Sequence, residues 1–239
     1  MKDIINGESY KLKNRRKHKI ALEISVLSIA MYCIYFLLYQ NISVTDFILN
    51  YLQKIYTVII ALAVIYNYFF QEEYQYDTQK NLIWIMRDRK SIFLGKFIMQ
   101  LVILTINYLA IGLVLLLFAS IKANDFSEIK ALLMIIVGLF FVLIRAVILF
   151  DLFTIVWKND YITFSLYFVT INILGVVIGF LESFLKIGDT LSLYTIQGQL
   201  SDVFVTVFEG KEFGISIGIN ILLSLLGLCV CLVLYKRNK

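Results

Sequence analysis

The chain has 239 residues, 60% of them hydrophobic and only 16% charged, with a net charge of +5, and a mean hydropathy of +0.83. A soluble domain is nearer half apolar and a quarter charged, so a water-filled surround has too little polar surface to work with and the solvent is lipid. The hydrophobic runs leave no room for a separate soluble catalytic domain. The basic residues flank those runs instead of forming a basic fold, which argues against nucleic acid as a partner.

A spanning helix needs roughly 20 mostly apolar residues. Residues 1–19 come first, rich in Lys and Arg but carrying Ile4, Ile5 and Leu12. They are expected to lie at the membrane surface as an interfacial segment. The charged stretch is too long, and the apolar run after it too long, for a cleaved signal peptide. His18 sits in the Lys/Arg cluster and reads as a surface residue. The first span is Ile20–Tyr39. The second is Ile55–Phe70, entering a turn or two earlier near Phe47. The segment Gln71–Ser91 follows. It is long and charged, yet Leu82, Ile83, Ile85 and Met86 form an apolar strip around Trp84, next to Lys80, Arg87 and Arg89. A solvated loop has no use for Leu-Ile-Trp-Ile-Met; a short helix lying on the membrane surface does.

The third span lies within Ile92–Ile121. The fourth is Ala131–Phe150, continuing toward Trp157. Only Lys158, Asn159 and Asp160 separate it from the fifth, Tyr161–Leu181, so these two form a tight hairpin. Between the fifth span and the sixth, Phe213–Tyr235, lies the segment Glu182–Glu212. It carries Glu182, Asp189, Asp202, Glu209 and Glu212 against Lys186 and Lys211. Its Leu193, Ile196, Leu200, Val203, Phe204 and Val207 recur at near-helical spacing. That pattern predicts a short amphipathic or re-entrant helix; an ordinary solvated acidic loop is the alternative. Proline is absent from the chain, so no span carries a proline kink.

Basic residues set the orientation. Lys2, Lys11, Lys13, Arg15, Arg16, Lys17, Lys19, Lys80, Arg87, Arg89, Lys90, Lys96, Lys158, Lys236, Arg237 and Lys239 fall on one side. Lys54, Lys122, Lys130, Lys186 and Lys211 fall on the other. The positive-inside rule then puts both termini in the cytoplasm, as an even number of spans requires. The fold expected is all-α: one polytopic domain over residues 1–239, with six transmembrane helices.

Motifs for chemistry are missing. There is no GxxxxGK(S/T) phosphate loop, no HExxH and no GxSxG, and one histidine does not supply His-based catalysis. Catalytic, cofactor and metal residues are therefore expected to be none. Cys33, Cys229 and Cys231 lie inside apolar runs without metal or disulfide spacing and read as packing residues. Arg145 is the charged residue within a span, and an intramembrane charge is a functional suspect. Two readings stand: a packing or snorkelling role, or a conformational or substrate role. Asp151 is about 600° of helix rotation further on and is a poor partner for it. Asn67, Thr105, Asn107, Thr170, Asn172, Asn220 and Ser224 are polar within spans. They read as hydrogen-bonding glue between helices, or as lining of a route, with Asn107 and Asn172 the candidates together with Arg145. GxxxG spacings at Gly175–Gly179 and Gly214–Gly218 mark faces for close helix packing, within the chain or between chains.

From Glu72 the chain reads E-E-Y-Q-Y-D-T-Q-K-N-L-I-W-I-M-R-D-R-K-S-I-F-L-G-K. This run resembles the segment after the second span in permease subunits of ABC-2 type (type V exporter-like) transporters. There a Glu leaves the membrane, a Thr-x-Lys follows, then apolar residues, basic residues and a Lys entering span three. The counterparts are Glu72 or Glu73, Thr78 and Lys80, Leu82–Met86 with Trp84, Arg87 and Arg89, and Lys96. Glu8, Lys11 and Lys13 resemble that family's opening. In size and layout the chain resembles permeases of lantibiotic self-immunity and amphipathic-peptide export. The resemblance implies a bacterial plasma-membrane permease, paired with a second permease chain (a copy or a paralogue) and two ATP-binding subunits. Residues 71–91 would be the coupling segment, with ATP and magnesium held on the partner. A different cargo (drug, lipid or cation), a non-transporting sensor subunit and an intramembrane enzyme are the rival readings.

Overall fold

The computed structural model describes residues 4–7, 9–10, 16–39, 43–52, 54, 88–123, 125–185, 191, 194–209 and 213–237. Among these, every regular element is helical: α1 (Arg16–Tyr39), α2 (Val44–Phe47) running into a π-helical turn (Ile48–Leu52), α3 (Arg89–Lys122), α4 (Phe126–Trp157), α5 (Asp160–Leu185), α6 (Ile196–Glu209) and α7 (Phe213–Arg237). The protein is an all-α polytopic membrane protein. Four helices, α3, α4, α5 and α7, are long and apolar enough to cross a bilayer, and α1 contributes the shorter apolar stretch Ile29–Leu38. The expected second span, Ile55–Phe70, lies outside the described residues; α2 begins at Val44, with the Ser43 side chain accepting from the Asp46 backbone N–H.

Helix ends follow from local chemistry. Asp88 caps α3, its side chain accepting from the Lys90 N–H at 3.1 Å and the Ser91 hydroxyl at 2.5 Å, which satisfies donors with no partner inside the helix. The α4–α5 hairpin turns on two adjacent residues. Lys158 takes the left-handed conformation with φ 53°, and the Asn159 side-chain oxygen Oδ1 accepts from the Tyr161 and Ile162 N–H groups at 3.0 and 3.3 Å. One residue ends α4 while the next caps α5, so the two residues between the helices suffice for the reversal.

The helices run up and down, and Arg89, Lys158 and Arg237 gather at one end, the basic end. The opposite end is closed by rings: Phe36 lies 5.4 Å from Phe47 and 4.6 Å from Tyr51, and Phe47 lies 4.5 Å from Phe118. The Thr45 hydroxyl also donates to Glu128 at 2.7 Å there. α4 is the central helix, touched by α3, α5, α6 and α7. α7 crosses it closely, for a Cβ placed on Gly227 would come within 2.9 Å of Ile148. At the basic end Ile4, from the N-terminal segment, is buried with Ile92, Phe93, Tyr235 and Cys231. It sits against Gly95, where a Cβ would lie 3.0 Å from Ile4 Cγ2.

Candidate functional site

The segment after α5 does not stay at the surface. α5 runs past its expected end at Leu181 to Leu185, so Glu182 is part of the helix; it is buried and accepts a hydrogen bond from the Leu191 N–H. At Tyr194 the chain lies at the depth of Arg145, whose Nη2 donates to the Tyr194 carbonyl. Arg145 is about 18 Å of helical rise from Trp157 and about 28 Å from Phe126, which is well inside the span. Thr195 is buried at that depth and caps α6, its Oγ1 accepting from the Gly198 N–H at 2.9 Å. α6 then climbs back over 14 residues, about 21 Å.

α6 is thus a re-entrant helix, and the residues that predicted it form its packed face: Ile196, Leu200, Val203 and Phe204 are buried and Val207 half-buried, while Leu193 lies outside the described residues. Val203 rests on Gly138 of α4, where a Cβ would stand 2.8 Å from Val203 Cγ1. Gln199, fully buried, ties α6 to α7. Its side-chain oxygen accepts from Asn220 Nδ2 at 2.7 Å and from the Ser216 hydroxyl at 3.1 Å. In lipid no water competes for these groups, so such bonds fix helix positions.

A second buried polar frame lies nearer the basic end. Gln100 Nε2 of α3 donates to Asp151 Oδ1 of α4 at 2.9 Å. Lys96, one turn before Gln100, is fully buried, as are Thr154, Thr163 and Tyr167. The Tyr167 ring packs on Phe150 at 4.8 Å. Four elements therefore converge there, α3, α4, α5 and, through Cys231 and Tyr235, α7. Arg89 adds a tie at the rim, donating to the Lys236 carbonyl at 3.2 Å, a favourable place for a cation at the C-terminal end of α7.

Residues 4–181 match the family described as ABC-2 family transporter protein. The chain belongs to that family. No protein among those with curated function matches it. Its members are membrane subunits of transporters, and membership implies a partnership with an ABC ATP-binding subunit.

In this ABC-2 permease the residues expected to form the coupling segment, Glu72, Glu73, Thr78, Lys80, Leu82, Trp84 and Arg87, lie outside the described residues, while Arg89 is at the first turn of α3. Among the polar residues singled out within spans, Thr105, Thr170 and Asn172 bond carbonyls of their own helices, at Leu101, Leu166 and Phe168. Asn107 is buried on α3. Asn220 makes the bond between helices described above. Gly175 lies beneath the re-entrant segment, where a Cβ would stand 3.1 Å from Gln197; Gly179, Gly214 and Gly218 face open space. The sequence reading did not single out Gln199, Gln100 or Gly138. Gln199 carried a signal, since it falls three residues after Ile196 and four before Val203, a polar residue on the apolar face of the helix.

Proposed function

We propose that this permease exports amphipathic or antimicrobial peptides from a bacterial plasma membrane, conferring export or self-immunity, with both termini in the cytoplasm. It works with a second permease chain, a copy or a paralogue, and with two ATP-binding subunits that hold ATP and magnesium. The segment 71–91 docks on the ATP-binding subunit. The observation that carries the mechanical part is α3, which starts at Asp88 where that segment ends, runs unbroken for 34 residues, and is bonded to α4 through Gln100 and Asp151. A push on its basic end is delivered along a rigid rod to α4 and to the far side of the bilayer. The peptide cargo is supported by the likeness in size and layout to peptide-immunity permeases, and by the scarcity of charge within the spans, which suits an apolar or amphipathic passenger better than an ion.

The test uses the permease copurified with its ATP-binding subunit in lipid nanodiscs. A lantibiotic-type cationic peptide should raise ATPase activity several-fold, and a small hydrophobic dye or a monovalent cation should not. Replacing Leu82 and Trp84 with Asp should abolish the stimulation while leaving the basal ATPase rate unchanged. Equal stimulation by dye or cation would remove the peptide from the proposal. Intact stimulation in the Leu82/Trp84 variant would remove the coupling role.

A further inference from the structure

α5 and α7 both pack on α4, leaving a groove between them whose floor is α4 and whose roof is the tip of the re-entrant segment. The groove is about 350 Å³, within the range of ligand sites. Leu149 of α4, Leu174 of α5 and Leu223 of α7 make it apolar, while Thr170, Tyr194, Thr195 and Arg145 are the polar residues on its wall. Leu174 and Tyr194 are exposed to the surroundings, so the groove opens sideways into lipid and not toward water.

Arg145 is what sets this groove apart from an ordinary gap between helices. Its Nη2 is used by the neutral Tyr194 carbonyl. Its Nη1 is buried and has no hydrogen-bond partner among the described residues. A full positive charge in a span is normally matched by a carboxylate or carried out to the headgroups. Asp151 is bonded to Gln100 on another face of α4, and Glu182 accepts from Leu191, so neither fills that place at Arg145. A guanidinium presents a fork of donors suited to a carboxylate or phosphate, and half of this fork is held in position while the other half is unused.

We propose that the groove binds an anionic amphiphile from the bilayer: a carboxylate or phosphate head paired with Arg145, and a single alkyl chain lying along the leucine-lined walls. The site is separate from the coupling segment, and the inference does not depend on which cargo the transporter moves. The head completes the guanidinium's hydrogen bonding and neutralises its charge, and the chain fills apolar space that would otherwise admit lipid tails without selectivity.

The purified full chain in zwitterionic nanodiscs provides the test, with three spin-labelled probes: stearic acid, lysophosphatidic acid and the methyl ester of the stearic acid. All share the apolar part, and the ester lacks the charge. The acids should show an immobilised component at least tenfold more retained than the ester's. A carboxylate-only result identifies a fatty-acid site, and retention of the phosphate identifies a phospholipid-type head. Arg145→Gln should bring the acids down to the ester's level, and Arg145→Lys should restore part of the difference. Equal retention of acid and ester by the unmutated protein overturns the proposal without reference to any variant. So does an acid preference that survives in an Arg145→Gln variant that elutes as a monodisperse particle.

Discussion

Gly138→Ala isolates the seat of the re-entrant helix, because two effects of opposite sign meet at one methyl group. Alanine in a helix is favoured over glycine by about 0.5–1 kcal/mol. At position 138 the new Cβ would stand 2.8 Å from Val203 Cγ1, 3.0 Å from a Phe213 ring carbon and 3.3 Å from Val203 Cγ2. Val203 is fully buried and β-branched, so it has little rotamer freedom with which to yield. Overpacking of this kind costs about 1–3 kcal/mol. The balance is a net destabilisation of about 1 kcal/mol. Gly179→Ala is the matched control: nothing lies within 4 Å of its Cβ, so it should be stabilising by about 0.5–1 kcal/mol. Unfolding of the purified chain by dodecyl sulfate titration, followed by far-UV circular dichroism, measures both. Val203→Ala in the Gly138→Ala background should recover part of the loss, with a coupling of about 1 kcal/mol or more in the double-mutant cycle. If Gly138→Ala proves at least as stable as Gly179→Ala and the coupling is zero, α6 does not rest on α4 in the way described.

Three other perturbations have clear signs. Gln199→Leu and Asn220→Leu should couple in a double-mutant cycle by about 0.6–1.7 kcal/mol, the range for hydrogen bonds between membrane helices; independence of the two would mean that the 2.7 Å contact is not formed in lipid. Gly95→Val puts branched atoms where a Cβ alone is 3.0 Å from Ile4, so it should expel Ile4. Maleimide labelling of Ile4→Cys, in a chain stripped of the three native cysteines, should then speed up about tenfold, and an unchanged rate would refute packing of the N-terminal segment on α3. Asp88 supplies a pH dependence. Its carboxyl is held below its ordinary 3.8 by the Ser91 hydroxyl first and then by the Lys90 N–H. A depressed native pKa stabilises fully above the unfolded value and loses that contribution as pH falls through the native value. The first turn of α3 should therefore fray only below about pH 4. Amide exchange at Ser91 and Ile92 should report this, and Asp88→Asn should remove the pH dependence while keeping the cap.

What could be read from the sequence follows from what lipid demands. A helix in hydrocarbon must satisfy its backbone internally and show apolar residues on every side, so α3, α4, α5 and α7 stand out as runs without periodicity. The re-entrant helix stands out for the opposite reason: its apolar residues recur at near-helical spacing among polar ones, and the apolar face predicted from Ile196 to Val207 is the face that packs. The hairpin at Lys158 and Asn159 was evident from its length. Arg145 was visible as an anomaly, but its partner was not, because that partner is a backbone carbonyl 49 residues away and a carbonyl has no sequence identity. Gln100 and Asp151 are likewise joined only by the way α3 crosses α4. The glycines show the limit of motif reading: Gly214 and Gly218 match a packing pattern and face open space, whereas the tight contacts at Gly138 and Gly227 belong to no pattern. A close approach is a property of two surfaces, and the sequence of one helix describes only one of them.

The placement of charge within the spans follows from burial. Half of the apolar stretch of α4 is buried inside the protein, against 11% for α5 and 17% for α7. A helix whose sides face lipid has no groups with which to satisfy an intramembrane charge, and the membrane-facing stretches of α5 and α7 carry none. α4 packs against four other helices and carries both Arg145 and Asp151. Six residues of rotation point these two groups to different neighbours, Asp151 to α3 nearer the basic end of the bundle and Arg145 to the tip of the re-entrant segment. The polar ties of α4 therefore run to α3, which begins at Arg89, and to the re-entrant segment that enters from the opposite end. A shift of α3 against α4 strains the Gln100–Asp151 bond, and any tilt of α4 that relieves it moves Arg145 and the α6 cap with it. The side groove exists for the same geometric reason: α5 and α7 are peripheral, each leaning on α4, and the space between them is where lipid has access to the central helix.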